Sequence, residues 1–228
     1  MSEANETNTA MATPSLEDTM STSHGWPGGG RRMLGVTQHG FLVLTDISGF
    51  TAFVTTTELE HGPPIIGALL DEVIRCVSPP LEIQDIEGDA VFALDPHERV
   101  VPPAALLGVL RAALAGFRTV QRTMQADESC SCNACRSIWR LRLKLIAHYG
   151  AFLRQTVGGR VQAAGSDVIL AHRLLKNGVP RNADYTLFTR PALRHMDLDP
   201  RRAGLSPHVE RYEYFGDVEC FVGQPGGV

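Results

Sequence analysis

Phe41-Leu-Val-Leu-Thr-Asp46-Ile-Ser-Gly49-Phe-Thr51 is an apolar run that delivers one carboxylate into a glycine turn and then opens a helix. The run predicts a stiff buried strand. Asp46 at its end offers a hard oxygen ligand to a divalent cation. Backbone amides around Ser48, Gly49, Phe50 and Thr51, at a helix start, can receive phosphate oxygens that the same cation touches. A strand ending in Asp-x-Ser-Gly is also an ordinary capped turn, so the pattern needs a second element to become a site.

Leu81-Glu-Ile-Gln-Asp85-Ile-Glu87-Gly88-Asp89-Ala-Val-Phe-Ala-Leu94 supplies that element: two short apolar segments folded about Glu-Gly-Asp. It predicts a hairpin whose tip carries a second carboxylate. Asp46 on a strand end and Asp89 on a neighbouring hairpin can share Mg or Mn ions that bridge a nucleotide's phosphates.

Around these two stretches the chain reads as strand, helix pair, hairpin. A helix is expected from Thr51 to about Glu60, broken by Gly62-Pro63-Pro64. A second follows, with Ile66, Leu69, Leu70, Val73, Ile74 and Val77 at helical spacing, ending at Ser78-Pro79-Pro80. Pro102-Pro103 introduces a long helix with Leu106, Leu110, Leu114 and Phe117 on one face and Arg111, Arg118 and Arg122 on a solvated one. Trp139 to Tyr149 alternates as a strand, with a turn at Gly150 and a return over Ala151 to Gln155. His148, alone at a strand end, is read as a hydrogen-bonded structural residue. Gly165-Ser166-Asp167 caps a further helix that ends at Lys176-Asn-Gly178. Tyr185–Thr189 and Tyr212–Val222 read as late strands, with a short helix at about Pro191 to His195. The order predicts an α+β domain, ferredoxin-like, with a mostly antiparallel sheet covered by helices.

Cys130-Ser-Cys132-Asn-Ala-Cys135 lies in a polar loop and holds three of the five cysteines. Three thiols this close favour zinc over a disulfide in a reducing compartment. A closed zinc site wants four ligands, so Cys220, Cys76, His97 or a residue of a second protomer is required; otherwise the three are free loop thiols.

Bulk properties bound the rest. A chain of 228 residues, 43% hydrophobic and 20% charged, can bury one good core. Residues 1–34, rich in Ser, Thr, Asn, Glu and Gly, read as a disordered tail, and 224–228 as a flexible end; 35–223 form the domain, with the Cys-rich loop at 127–137. A formal net charge of -4 argues against a nucleic-acid partner. No apolar run is long enough for a membrane span and no signal pattern opens the chain, so a cytoplasmic location is expected.

Leu-Thr-Asp46-Ile-Ser-Gly-Phe-Thr together with Glu-Gly-Asp89-Ala-Val-Phe resembles the class III nucleotidyl cyclase catalytic domain, in which these positions carry the metal-binding aspartates. Leu143-Lys-Leu-Ile-Ala-His148-Tyr-Gly150 and Gly165-Ser-Asp-Val-Ile169-Leu-Ala-His-Arg173 follow in the family's order, so that the resemblance covers about residues 38 to 177. It implies a backbone carbonyl of Ile47 beside the metal, Arg173 steadying the phosphate in the transition state, and a head-to-tail homodimer acting on a nucleoside triphosphate. Asp85 stands where purine cyclases have a base-selecting lysine, and Ile169 where they have a ribose-orienting asparagine; Gln162 stands at the partner base-contact position. The metal half therefore matches and the ribose-base half is altered. The chain more closely resembles a cyclase-related bacterial family with a Cys-x-Cys-x-x-Cys loop. Two functions follow from this, a divergent cyclase or a catalytically silent nucleotide and metal sensor, alongside a plain structural role in which Asp46 and Asp89 merely cap turns.

Overall fold

The protein is described from a computed structural model covering residues 36–96, 101–127 and 129–223. The expectations for residues 1–34 and 224–228, and for His97 as a ligand, fall outside the described residues.

Strand β1 (Gln38–Ser48) lies inside the sheet, third in its order. It pairs antiparallel with β3 (Ala90–Leu94) on one side and with β4 (Arg142–Val157) on the other. The remaining strands are β2 (Glu82–Glu87), β5 (Arg160–Ala164), β6 (Tyr185–Thr189), β7 (Ser206–Tyr212) and β8 (Gly216–Gly223). The order is β2-β3-β1-β4-β6-β8-β7, with β5 folded back on the end of β4. Only β4 and β6 run parallel among these pairs. This is the expected α+β, mostly antiparallel architecture.

The uninterrupted apolar run of β1 has a simple cause: both of its faces are covered. Phe41, Val43 and Ile47 enter one core, while Leu42 and Leu44 enter a second core on the opposite face. Most helices pack on the first face: α1 (Phe50–Thr56), α2 (Gly62–Val77), α3 (Pro103–Ala126), α4 (Asn133–Ser137) and α6 (Arg190–His195) all contribute buried side chains there. Leu69, Val73 and Val77 of α2 are fully buried. Truncating Leu69 to Ala would cost about 3 kcal/mol. On the second face, among the described residues, α5 (Ser166–Leu174) is the helix that packs, burying Val168, Leu170, Ala171 and Leu174.

Several boundaries differ from those expected. Helix α1 stops at Thr56 because the hydroxyls of Thr55, Thr56 and Thr57 bond back to carbonyls one turn earlier and Thr57 turns extended. Pro63 and Pro64 begin α2 rather than break a helix, since the first turn needs no proline amide. β4 runs straight through Gly150, and its hairpin partner is β5, reached through Gly158 and Gly159, both at positive φ. Tyr212–Val222 is not one strand; a turn at 213–215 splits it between β7 and β8. Arg118 is not a solvated arginine: it pairs with the buried carboxylate of Asp184, which also accepts from the Leu143 amide at 2.8 Å.

Gly150 is needed for a different reason from a turn. A Cβ there would lie 2.5 Å from Cβ of Asp167. Asp167 presses against that bare backbone, accepting from the Ala151 amide at 2.6 Å and meeting His148 Nε2 at 3.2 Å. His148 Nδ1 in turn lies 2.8 Å from Thr189 Oγ1. Burial pushes the His148 pKa down, against the pull of Asp167. The His-x-Gly and Gly-Ser-Asp motifs thus lock β4, α5 and β6 together, which matches the structural reading of His148.

Candidate functional site

The sheet alternation puts Asp46 and Ser48 on the α5 face of β1, two residues apart, while Ile47 between them is buried in the opposite core. Asp46 pairs in register with Ala90, so the turn at Gly88 and Asp89 brings the second carboxylate beside it. Both aspartates line one cleft of about 860 Å³. Ser48, Gly49, Phe50 and Thr51 line the same cleft. Gly49 sits at φ 91, a conformation that glycine adopts without strain, and turns the chain from strand to α1. The first helical bond of α1 is Phe53 N–H to Gly49 C=O, so the amides of Phe50, Thr51 and Ala52 precede the helical ladder. Ser48 is 6% exposed, and its hydroxyl has no hydrogen-bond partner among the described residues.

The cleft is lined by charges of both signs: Asp46, Asp89 and Glu87, from β1 and the β2–β3 hairpin, and Arg173, Lys176 and Arg181, from α5 and the segment after it. Burial and the Asp46 charge push the Asp89 carboxyl up to about 6, against the pull of the Asp89 and Ile47 backbone amides and Lys144. Ionised Asp89 is thus a costly charge that a cation in the cleft would relieve. The donors fit a hard divalent metal: two carboxylates converge, with an unpartnered hydroxyl nearby.

One cation is already built in. Lys144 Nζ lies 2.7 Å from Asp46 Oδ2 and donates to the Leu175 carbonyl at 2.7 Å, with its side chain 6% exposed. It comes from β4, directly opposite Asp46 in the β1–β4 register. A lysine among Leu143, Leu145 and Ile146 is the sequence signal that could have found it, because lysine is rarely this buried unless paired.

The residues implied for base recognition lie next door. Asp85 and Gln162 line a neighbouring recess with Gln84, Phe92 and Arg160, which shares Val168 and His172 with the main cleft. Asp85 also accepts from the Ile86 amide at 3.0 Å. Ile169 lines the main cleft and is 54% exposed.

The three loop cysteines converge on a residue that sequence reasoning missed. Nδ1 of His61 lies 3.0 Å from Cys132 Sγ, 3.4 Å from Cys130 Sγ and 3.9 Å from Cys135 Sγ. The other candidates are engaged elsewhere: Cys76 faces Glu72 at 3.6 Å, and Cys220 is buried in the second core. His61 lies 69 residues before Cys130, and only its place just before Gly-Pro-Pro marks it, which is no ligand signal.

A family profile described as "Protein of unknown function (DUF2652)" matches residues 66–185. An uncharacterized protein of Mycobacterium tuberculosis, Rv2561/Rv2562, is 35% identical over 156 residues, 66% of this chain and 68% of that protein. The chain belongs to the DUF2652 family. The matched segment holds Asp89, the three cysteines and Arg173, while Asp46 and His61 lie just upstream of it.

For this DUF2652 member the fold is that of class III nucleotidyl cyclase domains. The adenylyl cyclase CyaB from P. aeruginosa aligns with a TM-score of 0.62 at 14% identity, covering 85% of this chain and 99% of that one. The guanylate cyclase domain of RhGC from Catenaria anguillulae, solved in complex with GTP, aligns with a TM-score of 0.59 at 11% identity, covering 82% and 97%. Among the described residues of this DUF2652 protein, no helix is long and apolar enough to cross a membrane.

Proposed function

We propose that the cleft binds a nucleoside triphosphate together with a divalent cation, Mg or Mn, as a divergent relative of the class III cyclases. The observation that carries this reading is the make-up of the cleft: Asp46, Asp89 and the Ser48–Thr51 turn line it together with Arg173, Lys176 and Arg181. A triphosphate is the ligand class that meets both sets of groups, since its phosphates take amides and guanidinium groups and its cation takes carboxylates. A bound cation would neutralise phosphate charge and polarise the attacked phosphorus.

The chain's own residues do the rest. Amides of Phe50 and Thr51 and the Ser48 hydroxyl offer donors to phosphate oxygens. Arg173 offers a planar donor fork where charge gathers on the departing phosphates, and Lys176 and Arg181 add charge at the cleft rim. Lys144 offsets the charge of Asp46, so the site needs less metal charge than two bare carboxylates would. At Ile169 no side-chain hydrogen bond orients a ribose, and at Asp85 a carboxylate faces the base side.

This favours a second reading of the same site, a nucleotide sensor with slow or no cyclisation. Pairing with a second copy belongs to the same proposal: Ile169 of α5 and Val161 of β5 are apolar and 54% and 56% exposed. A cytoplasmic location accompanies it.

The test is titration of the full chain with each of the four ribonucleoside triphosphates, with and without Mg or Mn, by calorimetry. Binding that needs the metal and is lost in Asp46→Asn is expected. Equal binding with metal chelated, or none with any triphosphate, would sink the nucleotide reading.

A further inference from the structure

The Cys loop and the turn between α1 and α2 meet outside the cleft, and their meeting has the geometry of a closed metal site. One ligand atom each from His61, Cys130, Cys132 and Cys135 lies within 4.8 Å of all the others. Bond lengths of about 2.3 Å to sulfur and 2.0–2.1 Å to nitrogen, at tetrahedral angles, require nitrogen–sulfur separations of about 3.5 Å. The observed 3.0, 3.4 and 3.9 Å straddle that value. A disulfide would instead draw two sulfurs to about 2.0 Å and leave the third with no role, and all three cysteines are free thiols.

The surroundings support the same ligand set. The Cys135 amide donates to Cys132 Sγ at 3.4 Å, a bond that stabilises a thiolate and orients its lone pairs. Glu58, three residues before His61, accepts from the amides of Asn133 at 2.9 Å and Ala134 at 3.1 Å, capping the helix on which Cys135 sits. The two segments are thereby docked in register by a carboxylate that is not itself a ligand. All four ligands are half-buried. The short helix buries Ala134 and packs Cys135 against the core, and Ile138 and Leu141 are buried after it, but among the described residues between the end of α3 and Ala134 no side chain is fully buried, so a metal is the group that would fix that stretch.

We propose that His61, Cys130, Cys132 and Cys135 bind one zinc ion in a closed tetrahedral site of three sulfurs and one nitrogen that staples the α1–α2 turn to the α3–β4 connection. With three thiolates and one imidazole no position is left open for water, so the role is structural. The staple sits one short helix away from the Ser48–Thr51 loop, and stands whether or not the cleft binds a nucleotide.

The test uses the full chain purified without chelator. Metal analysis is expected to find about one equivalent of zinc, and X-ray absorption at the zinc edge to fit three sulfurs and one nitrogen. Cobalt exchange is expected to give the intense visible bands of a tetrahedral thiolate site. His61→Ala is expected to lower zinc affinity by at least about tenfold in competition with a chromophoric chelator; His61→Cys, which keeps four ligands, should restore it. Less than about a tenth of an equivalent of zinc with three freely titrating thiols would overturn the proposal, as would an edge spectrum that His61→Ala leaves unchanged. Should His61→Ala fail to fold, the stoichiometry and edge spectrum of the unaltered protein still decide.

Discussion

Asp89 is the residue at which the cleft's chemistry is most exposed to test. Its carboxyl is pushed from 3.8 up to about 6, first by burial and then by Asp46. The folded state therefore holds this proton more tightly than the unfolded chain does. The stability associated with the proton is present below the unfolded value and is lost as pH rises through about 6. Above that, the ionised pair is an unrelieved cost in metal-free protein. Replacing Asp89 by Asn keeps an acceptor for the Ile47 amide but removes the charge. Metal-free Asp89→Asn is expected to melt higher than the unaltered protein at about pH 7.5, by a few degrees, and to show none of the rise in Tm with Mn that the proposed site predicts for the unaltered protein. That Mn-dependent rise in the unaltered protein should shrink as pH falls below about 6, because Mn must then displace a proton. A lower melting temperature in metal-free Asp89→Asn would show that the carboxylate is structural. Lys144, by contrast, is a residue whose importance is positional: it sits across the register from Asp46 and ties that carboxylate to the end of α5.

At the scale of elements, the junction of β4 and α5 places Arg173 and Lys144 in the same cleft. Its packing depends on Gly150, where Asp167 occupies the space of a side chain. Gly150→Ala must push back Asp167 Cβ and Cγ, close to the backbone, so the movement is not cheap. A loss of about 2 kcal/mol is expected, read as a lower midpoint in urea with an unchanged slope. Amide exchange should quicken in α5 and at Ala151 before the β1–β3 pairing is affected. A midpoint within experimental error of the unaltered protein would mean that α5 shifts freely and that the Asp167–His148–Thr189 chain holds little.

For the whole molecule the question is turnover. The carboxylate half of the cleft is present, and the positions implied for ribose and base carry Ile169 and Asp85. Missing contacts of this kind act chiefly in the transition state, so turnover should suffer more than binding. A transition-state hydrogen bond is worth about 3 kcal/mol, or roughly a hundredfold in rate. Cyclic product from ATP or GTP with Mn is therefore expected to be weak or absent, and to rise in Ile169→Asn with Asp85→Lys. Robust cyclisation by the unaltered protein, abolished in Asp46→Asn, would show that another residue supplies those contacts.

The buried strand β1, the aspartate turn, the hairpin and the α+β order are legible in the chain alone, because each is written in local terms: apolar runs, glycine turns and helical spacing within ten or twenty residues. The grouping of the three cysteines is legible too, since they share one loop. What stands opposite these groups is settled by the folded arrangement. Lys144 reaches Asp46 through a strand register set across α1, α2, the β2–β3 hairpin, α3 and α4; His61 reaches the cysteines across α2, the hairpin and α3; Arg118 reaches Asp184 across α4, β4, β5 and α5. Gly150 stands out in the sequence as a special position without revealing its reason, because a straight strand with a missing Cβ and a turn use the same residue. Local propensity fixes elements; which side chains meet between them depends on register and packing, and neither is carried by any one stretch of the chain.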